Sequence, residues 1–227
     1  LHLTFVRSPF AHATINSIDT SAAAESPGVV AIYTSEQLEE FCGPMPGGGG
    51  GEGAPMEEEN PQAEGQSGET AGEDVVAEDA EIPTPTTWPL ARGKVRWVGE
   101  PVVVIVAESV EQGRDAADLV EIDYEELPAV VDIEAAQEQG SALVWDGIRQ
   151  NVGVRYTRAR GETDKAFADA AYTIKQRIRS QRVMPTPMEG RVTAAAPDPL
   201  TNGLTVWVSN QAPHWARRTI ATQLGIN

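Results

Sequence analysis

Between residues 179 and 214 the sequence reads Arg-Ser-Gln-Arg-Val-Met-Pro-Thr-Pro-Met-Glu-Gly-Arg, passes a predicted strand pair, and reaches Ser209-Asn210-Gln211-Ala212-Pro213-His214 at a predicted helix start. This spacing sets one side-chain amide, that of Gln211, at a strand-to-helix junction where a cofactor could be met. An amide is both donor and acceptor but transfers no proton, so its chemistry is to orient a ligand or stabilise an oxo group. The same residue could equally be a capping side chain before Pro213. Glu189 could serve as acid or base, or hold its loop through Arg191 or backbone amides. Arg179, Arg182 and Arg191 could clamp an anion or line an exposed strand face. His2 and His12 fall in the first strands, where surface or satisfied-core positions are usual, and His214 is better placed for a polar contact.

The motifs HExxH, CxxC, GxSxG and GxGxxG are absent, which removes the commonest zinc-hydrolase, esterase and dinucleotide signatures. The single cysteine, Cys42, rules out an internal disulfide and a Cys-rich zinc or iron-sulfur site built by this chain alone. It suits a reducing compartment such as the cytoplasm. A formal net charge of -17 disfavours nucleic acid and anionic membrane surfaces as partners. Eleven of the 34 acidic residues lie within 43–83, a segment without Lys or Arg that opens on a glycine run. With so little to bury it is expected to be disordered; the alternative is an acidic interaction tail or cation site. No apolar run reaches the ~18 residues of a membrane helix. The sequence opens at Leu1, without Met, inside what reads as a strand, and stops just after a helix, so a fragment is expected and a periplasmic address stays open.

The elements that must position Gln211 follow from periodicity. Strands are predicted at 1–6 and 13–18, joined through a turn at Pro9, then a helix at 19–26, a strand at 29–33 and a helical piece at 35–41. Strands at 95–98 and 101–107 flank Gly99-Glu100, and the run Val102-Val103-Val104-Ile105-Val106 suits a strand buried on both faces. Ser109 and Gln112 mark a helix start running to 119. Strands at 120–124 and 129–131, a short helix at 133–139 capped by Asp132, and an irregular crossing at 140–153 come next. Thr163 is read as capping a helix to 171, followed by a long strand at 172–182, strands at 191–196 and 204–209, and a last helix entered through Pro213, with Ala216, Ile220 and Leu224 on one stripe. A length of 227 residues accommodates two units, and the alternation of strands and helices makes the class α+β or α/β.

Several segments, in order, resemble the molybdenum-binding large subunit of the xanthine dehydrogenase, aldehyde oxidase and aerobic carbon monoxide dehydrogenase family. They are Phe5-Val6-Arg7-Ser8-Pro9-Phe10-Ala11-His12-Ala13, Pro27-Gly28-Val29-Val30-Ala31, Val95-Arg96-Trp97-Val98-Gly99-Glu100-Pro101-Val102, Asp115-Ala116-Ala117-Asp118-Leu119-Val120, Asp123-Tyr124-Glu125-Glu126-Leu127-Pro128-Ala129-Val130, Pro187-Met188-Glu189 and Gln211-Ala212-Pro213-His214. The resemblance implies an α+β chain: an α/β hammerhead domain over 1–140, carrying the acidic insert 43–83, then the truncated beginning of a mixed α/β molybdopterin-binding domain over 141–227. It implies a molybdenum-molybdopterin cofactor, in which a cytosine dinucleotide form is one option, held through its dithiolene rather than by protein ligands. It implies oxidation of an aldehyde, an N-heterocycle or carbon monoxide with a water-derived oxygen, with electrons leaving to iron-sulfur and FAD partners, in an assembly such as a dimer of heterotrimers. Gln211 matches the family glutamine that hydrogen-bonds the molybdenum oxo ligand; the general base is expected beyond Asn227. Ser209-Asn210 stand where the family usually has Ser-Thr, and Gly190-Arg191 where it often has Pro-Arg-Gly. A rival from another class is a non-catalytic scaffold that binds a basic partner through the acidic insert.

Overall fold

The most β-branched run of the sequence is also its most buried: Val102, Val103 and Ile105 have no exposed surface. In a computed structural model describing residues 1–45, 75–78, 85–153, 156–159, 161–184, 186–201 and 203–226, the chain forms β1 (His2–Arg7), β2 (Ala13–Asp19), α1 (Ser21–Ala24), β3 (Val29–Tyr33), α2 (Ser35–Leu38), β4 (Val75–Glu78), β5 (Lys94–Val95), β6 (Pro101–Ala107), α3 (Val110–Ala117), β7 (Glu121–Glu126), β8 (Tyr156–Ala159), α4 (Thr163–Asp169), β9 (Thr193–Asp198), β10 (Gly203–Val208) and α5 (Pro213–Leu224). It divides into two compact units: Leu1–Glu69, Val76–Thr157 and Ala221–Asn227 form the first, Thr70–Val75 and Arg158–Ile220 the second.

In the first unit β6 is the middle of a three-stranded sheet, with β1 and β3 antiparallel on either side. A second three-stranded sheet has the order β5-β2-β7. Ala13, Ala23, Ala91, Val95, Val102, Val103, Ile105 and Ala116 make the common core, and Val6, Phe10, Ile15, Ile32, Ile122 and Tyr124 close around it. α3 lies against β1 and β6; Ser109 Oγ caps it by accepting the Gln112 N–H, as the spacing predicted. The approach depends on Gly113, where a Cβ would come within 2.4 Å of Thr4 Oγ1.

Several expectations are corrected. β1 and β2, which the Pro9 turn joins, enter different sheets. The chain leaves β1 at Ser8, whose N–H bonds Glu100 O and whose carbonyl accepts the Gly99 N–H, so the Pro9 turn is tied to the start of β6 instead of to β1. The strand foreseen at 95–98 stops at Val95 because Arg96 to Glu100 turn on the Glu100 carboxylate, which accepts the Arg96 N–H, with Gly99 at φ 86°. Residues 129–131 pair with nothing among the described residues and Val131 is exposed. The helix foreseen at 133–139 is one 3-10 turn, Ala135–Gln137, though Asp132 Oδ1 does accept the Glu134 and Ala135 N–H groups. In the second unit Thr163 is inside α4 with no side-chain cap bond. The strand foreseen at 172–182 is irregular: Tyr172, Ile174 and Ile178 alternate but lie in solvent, and without a neighbouring strand alternation does not make a ladder.

The acidic segment at 43–83 falls almost wholly outside the described residues; within it, residues 43–45 are described and 75–78 form β4, which pairs with β8. Its base is closed, with the Met45 N–H donating to Thr87 O at 2.7 Å. Nearby, Gly43 N–H donates to Gln223 O. Among the described residues no helix is long and apolar enough to cross a membrane.

Glu100 is the charged residue of the core, 5% exposed. It borders a cavity of about 200 Å³ lined also by Trp88, Leu90 and Trp145, and the Arg96 guanidinium stacks 3.8 Å over the Trp145 ring. Burial raises the Glu100 carboxyl above its ordinary value near 4.5, outweighing the opposing pull of the Arg96 N–H and guanidinium. The folded chain therefore holds this proton more tightly than the unfolded chain; the stabilising contribution is complete below the ordinary value and is lost as pH rises through the folded one. Glu100→Gln keeps an oxygen for the Arg96 N–H without the charge, so its melting temperature should match the parent at pH 4 and exceed it increasingly towards pH 7. Glu100→Ala leaves the part-buried Arg96 N–H without that acceptor and should cost about 1–3 kcal/mol at pH 4, a deficit that shrinks towards pH 7 because this variant also lacks the carboxyl; thermal denaturation of the three proteins across that range checks both outcomes.

Candidate functional site

The hairpin β9–β10 carries the region around Gln211. Its register runs from Asp198 opposite Gly203 at the closed end to Thr193 opposite Val208 at the open end. Asp198 fixes the closed end, accepting the Thr201 hydroxyl at 2.8 Å and the Leu200 N–H at 2.9 Å. Those bonds, the Thr201 hydroxyl first, hold the Asp198 carboxyl below its ordinary value.

At the open end three consecutive residues have distinct roles. Ser209 Oγ donates to Glu189 Oε1 at 3.2 Å. Asn210 Oδ1 accepts the Ala212 N–H, an Asx turn that sets the entry into α5. Ala212 O accepts the Ala216 N–H at 3.0 Å, and Pro213 occupies the first helical position, where its missing N–H is not needed. Gln211, between them, is exposed, and its amide has no hydrogen-bond partner among the described residues. Asn210, not Gln211, supplies the side-chain acceptor for the Ala212 N–H ahead of α5.

The other sequence candidates separate from it. His12 is buried in the first unit, 5% exposed, with Nδ1 3.0 Å from Pro128 O, so it ties β2 to the segment after β7. His2 and His214 are exposed. Arg179 and Arg182 lie in the irregular segment after α4, and Arg191 is exposed just before β9. Glu189 does hold a loop, but through Ser209 rather than Arg191 or backbone amides. Cys42 is a half-buried free thiol bonded to Leu38 O. Among the described residues no group of three or more His, Cys, Asp or Glu is placed to hold a metal ion. What this segment offers a ligand is a neutral amide beside the positive end of a twelve-residue helix, a donor set suited to an oxygen-bearing, anionic group.

Comparison with known proteins decides the family. Residues 1–67 and 57–128 match the aldehyde oxidase and xanthine dehydrogenase a/b hammerhead domain, and residues 145–227 match the molybdopterin cofactor-binding domain. The chain belongs to the aldehyde oxidase and xanthine dehydrogenase family. Within that family it is 36% identical over its whole length to the nicotine 6-hydroxylase large subunit of Paenarthrobacter nicotinovorans, covering 24% of that protein. It is 30% identical over its whole length to the carbon monoxide dehydrogenase large chain of Hydrogenophaga pseudoflava, covering 26% of it. Among solved structures, quinoline 2-oxidoreductase from Pseudomonas putida 86 superposes with a TM-score of 0.74 at 33% identity, over 99% of this chain and 25% of that one. The chain spans about a quarter of the length of the curated relatives it matches. The α+β expectation, a hammerhead followed by molybdopterin-binding structure, therefore holds, and Gln211 falls in the molybdopterin-binding region.

The Glu189–Ser209 bond and the Asn210 turn went unread in the sequence. The second was legible, since Asn two residues before Ala212-Pro213 is an Asx-turn pattern; the first needs the hairpin register to bring residues 20 apart together. Asn210→Ala should fray the first turn of α5 at a cost of about 1 kcal/mol, whereas Asn210→Asp keeps the acceptor. Amide hydrogen exchange across residues 212–216 checks this, and equal protection in the two variants would argue against the role.

Proposed function

We propose that this chain is part of the catalytic subunit of a molybdenum hydroxylase, an oxidoreductase in which residues 1–140 form the hammerhead domain and residues 141–227 begin the molybdopterin-binding domain. The observation that carries the reading is the partnerless Gln211 amide, presented between β10 and α5 inside the region that matches the molybdopterin cofactor-binding domain. When bound, the molybdenum-molybdopterin cofactor supplies the two-electron redox chemistry by which a water-derived oxygen reaches the substrate carbon. Gln211 donates an amide N–H to an oxygen of that cofactor and so fixes its orientation, which a neutral side chain does without competing for the reaction's proton.

The substrate class is an aldehyde, an N-heterocycle or carbon monoxide. The N-heterocycle is favoured, because relatives named for nicotine and quinoline are 36% and 33% identical and the two named for carbon monoxide 30% and 31%. Electrons pass to iron-sulfur and FAD partners in an assembly such as a dimer of heterotrimers, in the cytoplasm, with the cytosine dinucleotide form as the cofactor to look for first. In the full-length subunit within its complex, Gln211→Ala should keep its molybdenum content while kcat falls about 10²-fold, the usual loss for one preorganised donor. Full activity in that variant would overturn the role given to Gln211. Molybdenum analysis and steady-state kinetics on N-heterocycles, aldehydes and carbon monoxide make the measurement.

A further inference from the structure

We propose that Glu189 is a positioning residue that sets the aim of Gln211, a role that rests on the reading of Gln211 given above. The hairpin supplies the reason. Thr193 opposite Val208 is the last paired rung, so from Ser209 onward β10's continuation has left its ladder, while the incoming chain passes Glu189-Gly190-Arg191-Val192 before β9 begins. Among the described residues, the bond that spans these two departing strands is the Ser209 hydroxyl donating to Glu189 Oε1. Glu189 stands in a bend two residues after Pro187, whose ring fixes its own φ and stiffens the delivery of the carboxylate. On the far side of Gln211, Asn210 Oδ1 fixes the Ala212 N–H. The Gln211 side chain therefore projects from a short segment pinned at both ends, and loss of Glu189 releases one of the pins.

Glu189 and Ser209 are both exposed. A bond of this kind adds little to global stability, and its effect falls on the local freedom of residues 209–211. The function needs an acceptor oxygen at that reach, not a negative charge, so Gln in place of Glu189 should serve and Ala should not. This separates the role from an acid or base role for the carboxylate, which Gln could not fill.

The test uses the full-length subunit in its assembled complex and has two readouts: hydrogen–deuterium exchange of a peptide covering residues 209–214, and steady-state kinetics with molybdenum content. Glu189→Ala should speed exchange in that peptide about fivefold, the scale of losing one ordinary hydrogen bond, and lower kcat with KM and molybdenum content unchanged. Glu189→Gln should restore both, Ser209→Ala should reproduce the Ala variant, and the double variant should add nothing to either single one. Unchanged exchange in Glu189→Ala and Ser209→Ala overturns the proposal, as does a Glu189→Gln variant that behaves like Glu189→Ala. If Gln211→Ala keeps full activity while Glu189→Ala still speeds exchange, the role of Gln211 falls and the Glu189 pin stands. If Gln211→Ala is inactive and exchange in Glu189→Ala is unchanged, the pin alone falls.

Discussion

A strand buried on both faces constrains everything around it. β6 presents Val102, Val103 and Ile105 with no exposed surface, so each edge must be paired to satisfy its backbone and each face must be covered by another layer. β1 and β3 meet the first need. α3 supplies cover, close enough that a Cβ at position 113 would force the Thr4 side chain to move. The second sheet then places Ala13, Val95, Ile15 and Tyr124 in the same core. The turn into β6 is correspondingly specified: Ser8, Arg96, Gly99 and Glu100 bond one another through backbone and carboxylate, and Arg7 Nη1 adds a bond to Gly99 O at 2.9 Å.

Where the sequence alone was informative, the signal was local. The β-branched runs gave β3 and β6 at their observed bounds, and Ser109 and Asp132 capped as side chains of their type do. Elsewhere the deciding contact was distant in the chain, although the strand foreseen at 95–98 was ended by one only four residues away, between the Arg96 N–H and Glu100. Nothing within residues 1–18 says that Ser8 will bond Glu100 or that β1 and β2 will enter different sheets. Likewise the alternation at 172–182 is a property of one segment, while a strand is a property of two.

The candidate site follows the same division. Gln211 was legible as an unusual residue at a junction because Pro213 marks the helix start. Which neighbour reaches the Ala212 N–H was not read from the sequence, and it is Asn210. Glu189 was visible as a polar residue between prolines and glycine. Its partner was hidden by a hairpin whose register had to be known before residues 189 and 209 could be placed side by side.

The bridge between Met45 and Thr87 bears on how such a chain can change over generations. Two residues that meet across a closed neck fix the ends of what lies between them, so the length of that stretch enters through the entropy of closing it, beside the pairing of β4 with β8. That entropy grows with the logarithm of length, about 0.6 kcal/mol for each doubling. A change of length between Met45 and Thr87 therefore weighs on the neck less than a change at the bridge itself.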